Sequence, residues 1–98
     1  MTDPRESGLV LDPKFDASGL LTAVVVDGAD GAVLMVGHMN REALEQTRQS
    51  GKVTFFSRSR QQLWTKGESS GNFLRLVELR IDCDQDALLV IAQPDGPT

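Results

Sequence analysis

The sequence predicts an α+β fold that is mostly β, with antiparallel hairpins and sheets and one short helix. Three observations predict it. Short apolar, β-branched runs such as Leu20 to Val26 (LLTAVVV) alternate with Gly and Asp punctuation. Helical spacing with a start and a stop occurs in one evident place, Asn40 to Gly51. The chain is 98 residues long with 40% hydrophobic content, which fits one domain spanning residues 1–98. A core that small is poor in buried surface, so oligomerisation is expected to supplement it.

The elements follow in order. Met1 to Ser7 is polar and interrupted by Pro4, so residues 1–14 are read as a loose N-terminal arm. Leu20 to Val26, then DGADG, then Ala32 to Val36 read as a buried hairpin. Asn40 is a good N-cap ahead of REALEQTRQSG, and Gly51 is the matching stop. Met39, Ala43, Leu44 and Thr47 fall on one face of that helix. Lys52 to Ser57 (KVTFFS) looks like a strand, and the polar run Arg58 to Asn72 like an extended loop or irregular hairpin.

Asn72 to Asp84 reads as one long strand. Strict alternation puts Phe73, Val77, Leu79, Ile81 and Cys83 on one face, interrupted by Arg75, and Glu78, Arg80, Asp82 and Asp84 on the other. Ala87 to Ala92 (ALLVIA) is a final buried strand, after which the pattern dissolves in Gln93 to Thr98.

A net charge of -4 and a pI near 4.8 argue against a general nucleic-acid or membrane-surface binder. An anionic ligand would need a local basic site or a bridging cation. A single cysteine excludes an internal disulfide, and the sequence has no transmembrane-length apolar segment and no secretory layout. A cytoplasmic setting is the expectation.

Two stretches carry candidate chemistry. In D-C-D-Q-D, Asp82 to Asp86, alternation sends the carboxylates to one face and the only cysteine, Cys83, to the other. Carboxylate oxygens suit a hard cation such as Mg2+, and a thiolate suits zinc. Spacing alone favours the plainer reading, a solvated acidic turn beside a small buried cysteine, because the calcium-loop pattern is absent. The second stretch is S-R-S-R, Ser57 to Arg60, with L-W-T-K-G-E-S-S-G-N, Leu63 to Asn72. Ser57, Arg58, Ser59, Arg60, Lys66, Gly67, Ser69, Ser70, Gly71 and Asn72 could bind phosphate through charge-assisted and backbone bonds. Trp64 could stack on a base or ring, or could simply pack on the core. Glu68 could be a base or an orienting group, and reads more simply as a surface carboxylate. His38, the only histidine, lies between the expected strand and helix and reads as a packing or capping residue before a base or ligand.

Taken together, V-L-M-V-G-H-M-N-R-E-A-L (Val33 to Leu44), S-R-S-R, L-W-T-K-G-E-S-S-G-N, V-E-L-R and D-C-D-Q-D-A-L, in this order, resemble the phosphoribosyl-AMP cyclohydrolase family of histidine biosynthesis. The resemblance runs from about Phe15 onward. It implies hydrolysis of the N1–C6 bond of the adenine ring in phosphoribosyl-AMP by a Zn2+ and Mg2+ enzyme. It also implies an intertwined homodimer with the zinc site shared between subunits. Asp82, Asp84 and Asp86 match the family's magnesium aspartates and Cys83 matches one zinc cysteine. The family continues with a C-H-T-G segment and a further cysteine in an S-C-F string, which supply two more zinc ligands and a candidate catalytic histidine. This sequence stops at G-P-T, so the 98 residues alone are expected to be inactive.

Two rival readings stay open from the residues. V-V-V-D-G-A-D-G-A-V-L-M-V looks like the first hairpin of a Nudix-type pyrophosphohydrolase, although the R-E-x-x-E-E helix is missing. S-R-S-R with Trp64 suggests a non-catalytic RNA-binding module, against which the acidic balance weighs.

Overall fold

Leu21–Asp27 (β1) and Val33–Met39 (β2) form the expected hairpin in a computed structural model that describes residues 13–81 and 86–96. Asp27 and Asp30 build the turn between them: their carboxylates accept the Ala29 and Ala32 amides at 2.8 and 2.9 Å. Gly31 takes a left-handed φ of 78° that a side chain would resist. β2 runs further than Val36, so His38 sits within the strand, paired with Thr22, rather than in a connection. Leu34 has no partner between Met35 and Val33, a bulge in the β1–β2 ladder.

The helix α1, Arg41–Ser50, begins and ends where the caps place it. Asn40 Oδ1 accepts the Ala43 amide at 2.8 Å, and Gly51, at φ 74°, donates its N–H to the Thr47 carbonyl. Ala43, Leu44 and Thr47 are buried, as the periodicity requires. The buried Thr47 hydroxyl donates to the Ala43 carbonyl and accepts the Thr54 amide at 2.9 Å, which ties the helix to the strand that follows.

Thr54–Ser57 (β3) and Gln62–Thr65 (β4) make a separate two-stranded sheet. Leu74–Ile81 (β5) and Ala87–Pro94 (β6) complete a four-stranded sheet in the order β2-β1-β6-β5. Its outer pairs are antiparallel, but the central β1–β6 pair is parallel, which corrects the antiparallel expectation. The two central strands are the continuous apolar runs TAVVV and ALLVIA, the composition expected of strands covered on both faces.

The face assignment along β5 also needs correction. Leu76 pairs with Ala92 and Glu78 with Ile91, so Val77 is an extra residue that resets the alternation. Leu74 is buried and Leu76 packs on the core, whereas Val77, expected inside, is 61% exposed. Beyond the bulge the expected phase returns: Leu79 lies opposite Val90 and Ile81 opposite Leu88, while Glu78 and Arg80 share the outer face. Asp82, Cys83 and Asp84, the rest of the expected strand, lie outside the described residues together with Gln85, as do residues 1–12, most of the expected N-terminal arm.

One core joins the parts. Leu21, Ala23 and Val25 of β1, Met39 of β2, Leu74 of β5 and Leu88, Val90 and Ala92 of β6 cluster with Ala43, Leu44, Val53 and Phe55. The opposite face of the sheet is apolar too, with Val24, Val26, Leu89 and Ile91 half-buried and Val33 and Val36 exposed.

Candidate functional site

The β3–β4 hairpin and the loop that leaves it hold most of the residues singled out between Ser57 and Asn72. Phe55 is fully buried and lies directly across from Trp64, with ring centroids 5.0 Å apart and the planes inclined by 30°. This stack is the kind of cross-strand aromatic pair that stabilises a short hairpin. Phe55 also presses on β2. A Cβ at Gly37 would stand 2.6 Å from Phe55 Cδ1, so only glycine admits the ring there. Thr54 and Thr65 bond through their hydroxyls at 3.0 Å one step along the ladder.

The tip of the hairpin is closed by its own polar groups. The Gln61 amide donates to the Ser57 carbonyl at 2.8 Å, and the Gln61 side-chain amide donates to the Arg58 carbonyl at 2.8 Å. Gln61 takes φ 54°, a left-handed conformation that is uncommon for a residue with a side chain. The Arg60 amide donates to Ser57 Oγ at 3.2 Å. Past β4, Lys66 donates its amide to the Val53 carbonyl at 3.1 Å, and the loop folds back through a Gly71 amide to Gly67 carbonyl bond of 2.7 Å. Gly67, at φ 96°, packs so closely on the Asn72 backbone that a Cβ would overlap it.

These turns enclose two adjoining open clefts. The first, of about 590 Å³, is lined by Ser57, Ser59, Arg60, Trp64, Lys66, Gly67, Glu68, Ser69 and Ser70, and by Thr65. The second, of about 530 Å³, is lined by Gly37, His38, Phe55, Phe56, Ser57, Arg58, Ser59 and Trp64. Of the residues picked out between Ser57 and Asn72, Gly71 and Asn72 line neither cleft. Gly71 closes the loop through its amide, and Asn72 supplies the backbone on which Gly67 packs. Thr65, Phe55, Phe56 and Gly37 also line the clefts, although none of them carries a binding signal in the sequence. Reading KVTFFS and QLWT as paired strands would have placed Phe55 beside Trp64, whereas nothing in the sequence marks Gly37 as the seat of Phe55.

The electrostatics set this region apart. Arg48, Arg75 and Arg80 each pair with a carboxylate, at 3.3, 2.7 and 2.7 Å. Arg41 and Lys52 lie over the Phe15 and Phe73 rings at 4.8 and 4.2 Å. Among the described residues, the cations with neither kind of partner are Lys14, ahead of β1, and Arg58, Arg60 and Lys66, and the last three are the ones that line these clefts. Cations without carboxylate partners, beside hydroxyls and an aromatic ring, suit an anionic ligand that carries a flat heterocycle.

The metal candidates fall elsewhere. Asp82, Cys83 and Asp84 lie outside the described residues, and Asp86 is exposed just before β6. No group of three or more His, Cys, Asp or Glu side chains gathers among the described residues. The donor set itself, carboxylate oxygens and one thiolate, is chemically suited to Mg2+ and Zn2+. No helix among the described residues is long and apolar enough to cross a membrane.

The family of the chain is shown by comparison with known proteins. Residues 35–98 match the family described as phosphoribosyl-AMP cyclohydrolase. The chain is 61% identical over 97 residues to the phosphoribosyl-AMP cyclohydrolase of Rhizorhabdus wittichii, covering 99% of this chain and 78% of that protein. It is also 61% identical to the protein of that name from Sphingopyxis alaskensis, covering 99% and 77% of the two chains. The protein of the same name from Rhodopseudomonas palustris strain HaA2 is 59% identical over 94 residues, 96% of this chain and 64% of the relative.

Proposed function

The chain belongs to the phosphoribosyl-AMP cyclohydrolase family, and on that premise we propose that it opens the adenine ring of phosphoribosyl-AMP by hydrolysing the N1–C6 bond in histidine biosynthesis. Carrying this reading is one observation: cations without carboxylate partners, Arg58, Arg60 and Lys66, surround clefts that share the Trp64 ring. Phosphoribosyl-AMP combines phosphate monoesters with a purine, and these groups answer both.

The chemistry consumes one water. Substitution at N1 gives the purine cationic character and makes C6 electrophilic. Oxygen from water adds at C6, the N1–C6 bond breaks, and the exocyclic nitrogen stays on C6 as a carboxamide. N1 keeps its phosphoribosyl group and leaves as the formimino nitrogen. Trp64 would hold the ring, Ser57, Ser59, Ser69 and Ser70 would donate to phosphate or sugar oxygens, and Glu68 would accept from sugar hydroxyls. The Gly67 and Gly71 turns and Asn72 would shape the loop that presents these groups.

Cys83 would hold zinc, and Asp82, Asp84 and Asp86 magnesium. When bound, the ions supply a water acidified to a pKa of about 7 and positive charge against phosphate. The protein would act in the cytoplasm as an intertwined homodimer that shares the zinc site, with no nucleic-acid or membrane partner. The apolar outer sheet face, where Val36 is 58% and Val77 61% exposed, supports a covering subunit. No observation favours the Nudix or RNA-binding readings.

Turnover of phosphoribosyl-AMP by the full-length protein tests the activity. Metal analysis of Cys83→Ser and Asp84→Asn tests the ligands, with zinc expected to fall in the first and magnesium in the second. Normal zinc content in Cys83→Ser would remove that assignment. Light scattering tests the dimer, which Val36→Glu is expected to weaken.

A further inference from the structure

The S-R-S-R tip deals its residues between the clefts in alternation. Ser57 and Ser59 line both clefts, Arg60 lines the first and not the second, and Arg58 lines the second and not the first. With Trp64, also common to both, the two serines form a dividing wall that has a guanidinium on either side. Lys66 adds a second cation to the Arg60 side. The divider is held by local bonds, chiefly those of the Gln61 main-chain and side-chain amides to Ser57 and Arg58, and Gln61 adopts a left-handed backbone to make them. Such a conformation is disfavoured for a residue with a side chain, so the tip is set by its bonds and not by preference.

A substrate named phosphoribosyl-AMP carries two ribose 5-phosphates, one on N1 and one on N9 of a single adenine. Opposite ends of the purine therefore bear equal anionic groups, while the ring lies between them. We propose that the tip is a divider that separates the two phosphoribosyl arms, one in the Arg60–Lys66 cleft and the other in the Arg58 cleft, with the purine held at the Trp64 wall. This rests on the reading that phosphoribosyl-AMP is the substrate. The division also accounts for Arg58 and Arg60 lacking carboxylate partners among the described residues, since each answers a separate phosphate. Either cleft, at about 590 and 530 Å³, has the size of a small-ligand site.

The test is binding of AMP, which has only the N9 arm, compared with phosphoribosyl-AMP, in full-length protein and in Arg58→Gln and Arg60→Gln. Both arginines are exposed, and unchanged melting temperatures are expected to show that both variants fold. Loss of a charge-assisted phosphate contact weakens binding about 10-fold or more. Phosphoribosyl-AMP is expected to weaken in both variants, and AMP in one of them only; whichever one it is identifies the N9 cleft. Equal weakening of AMP in both variants, or in neither, would overturn the division while leaving the substrate reading intact. Failure of the unsubstituted protein to bind phosphoribosyl-AMP more tightly than AMP would instead sink the substrate reading.

Discussion

The inner face of the four-stranded sheet is built from side chains such as Leu21, Ala23, Val25, Leu74, Leu88, Val90 and Ala92, all nearly or wholly buried. The β3–β4 hairpin and its exit loop carry the opposite inventory: Arg58, Ser59, Arg60, Glu68, Ser69 and Ser70 are all exposed. The first region is held by apolar burial and long ladders, the second by a short stack and side-chain bonds to its own backbone. The difference separates what keeps the fold from what could bind a ligand, and the two meet where Phe55 seats on Gly37. Substitutions in the sheet and helix should cost stability, whereas those at the tip should cost binding.

Four substitutions sharpen or break that separation. Phe55→Ala strikes the join, removing a fully buried ring that is shared by the core, the Trp64 stack and the second cleft. Its expected cost is about 3–5 kcal/mol in denaturant unfolding, and a value below 1 would mean that the hairpin is not seated on the core as described. Thr47→Val keeps the shape but leaves the buried Thr54 amide without its acceptor. It should cost about 1–3 kcal/mol by the same measurement. Asn40→Ala removes the helix cap and should cost about 1 kcal/mol. Arg60→Gln, which loses no ion pair among the described residues, should stay within about 0.5 kcal/mol of the parent. If Arg60→Gln destabilised as much as Asn40→Ala, the tip would be part of the scaffold and the comparison would fail.

Much of this was legible in the residues, for reasons that differ by region. The helix was read to its caps because Asn40, Gly51 and the spacing of Ala43, Leu44 and Thr47 are local signals. The parallel β1–β6 pairing was not, because strands some sixty residues apart, Thr22 opposite Ala87, leave no local mark. The bulge at Val77 is hidden in the sequence because strict alternation reads VELR as continuous with the residues before it. A pairing partner, Ala92 to Ile91, is what exposes the extra residue. The candidate site was legible as a string of residue types from Ser57 to Ser70. Its division into two clefts was not, since it depends on the left-handed Gln61 and on Phe55 and Gly37 meeting across elements. The carboxylates and thiolate of D-C-D-Q-D were legible as a donor set, but Asp82, Cys83 and Asp84 fall outside the described residues.

The central claim, hydrolytic opening of the adenine ring, is tested most directly by mass spectrometry of phosphoribosyl-AMP incubated with the full-length protein in isotopically labelled water. The account predicts a product heavier than the substrate by one water, retaining both phosphates, with the labelled oxygen in the new carboxamide. Release of phosphate or pyrophosphate with an intact purine, or recovery of unchanged substrate, would contradict it.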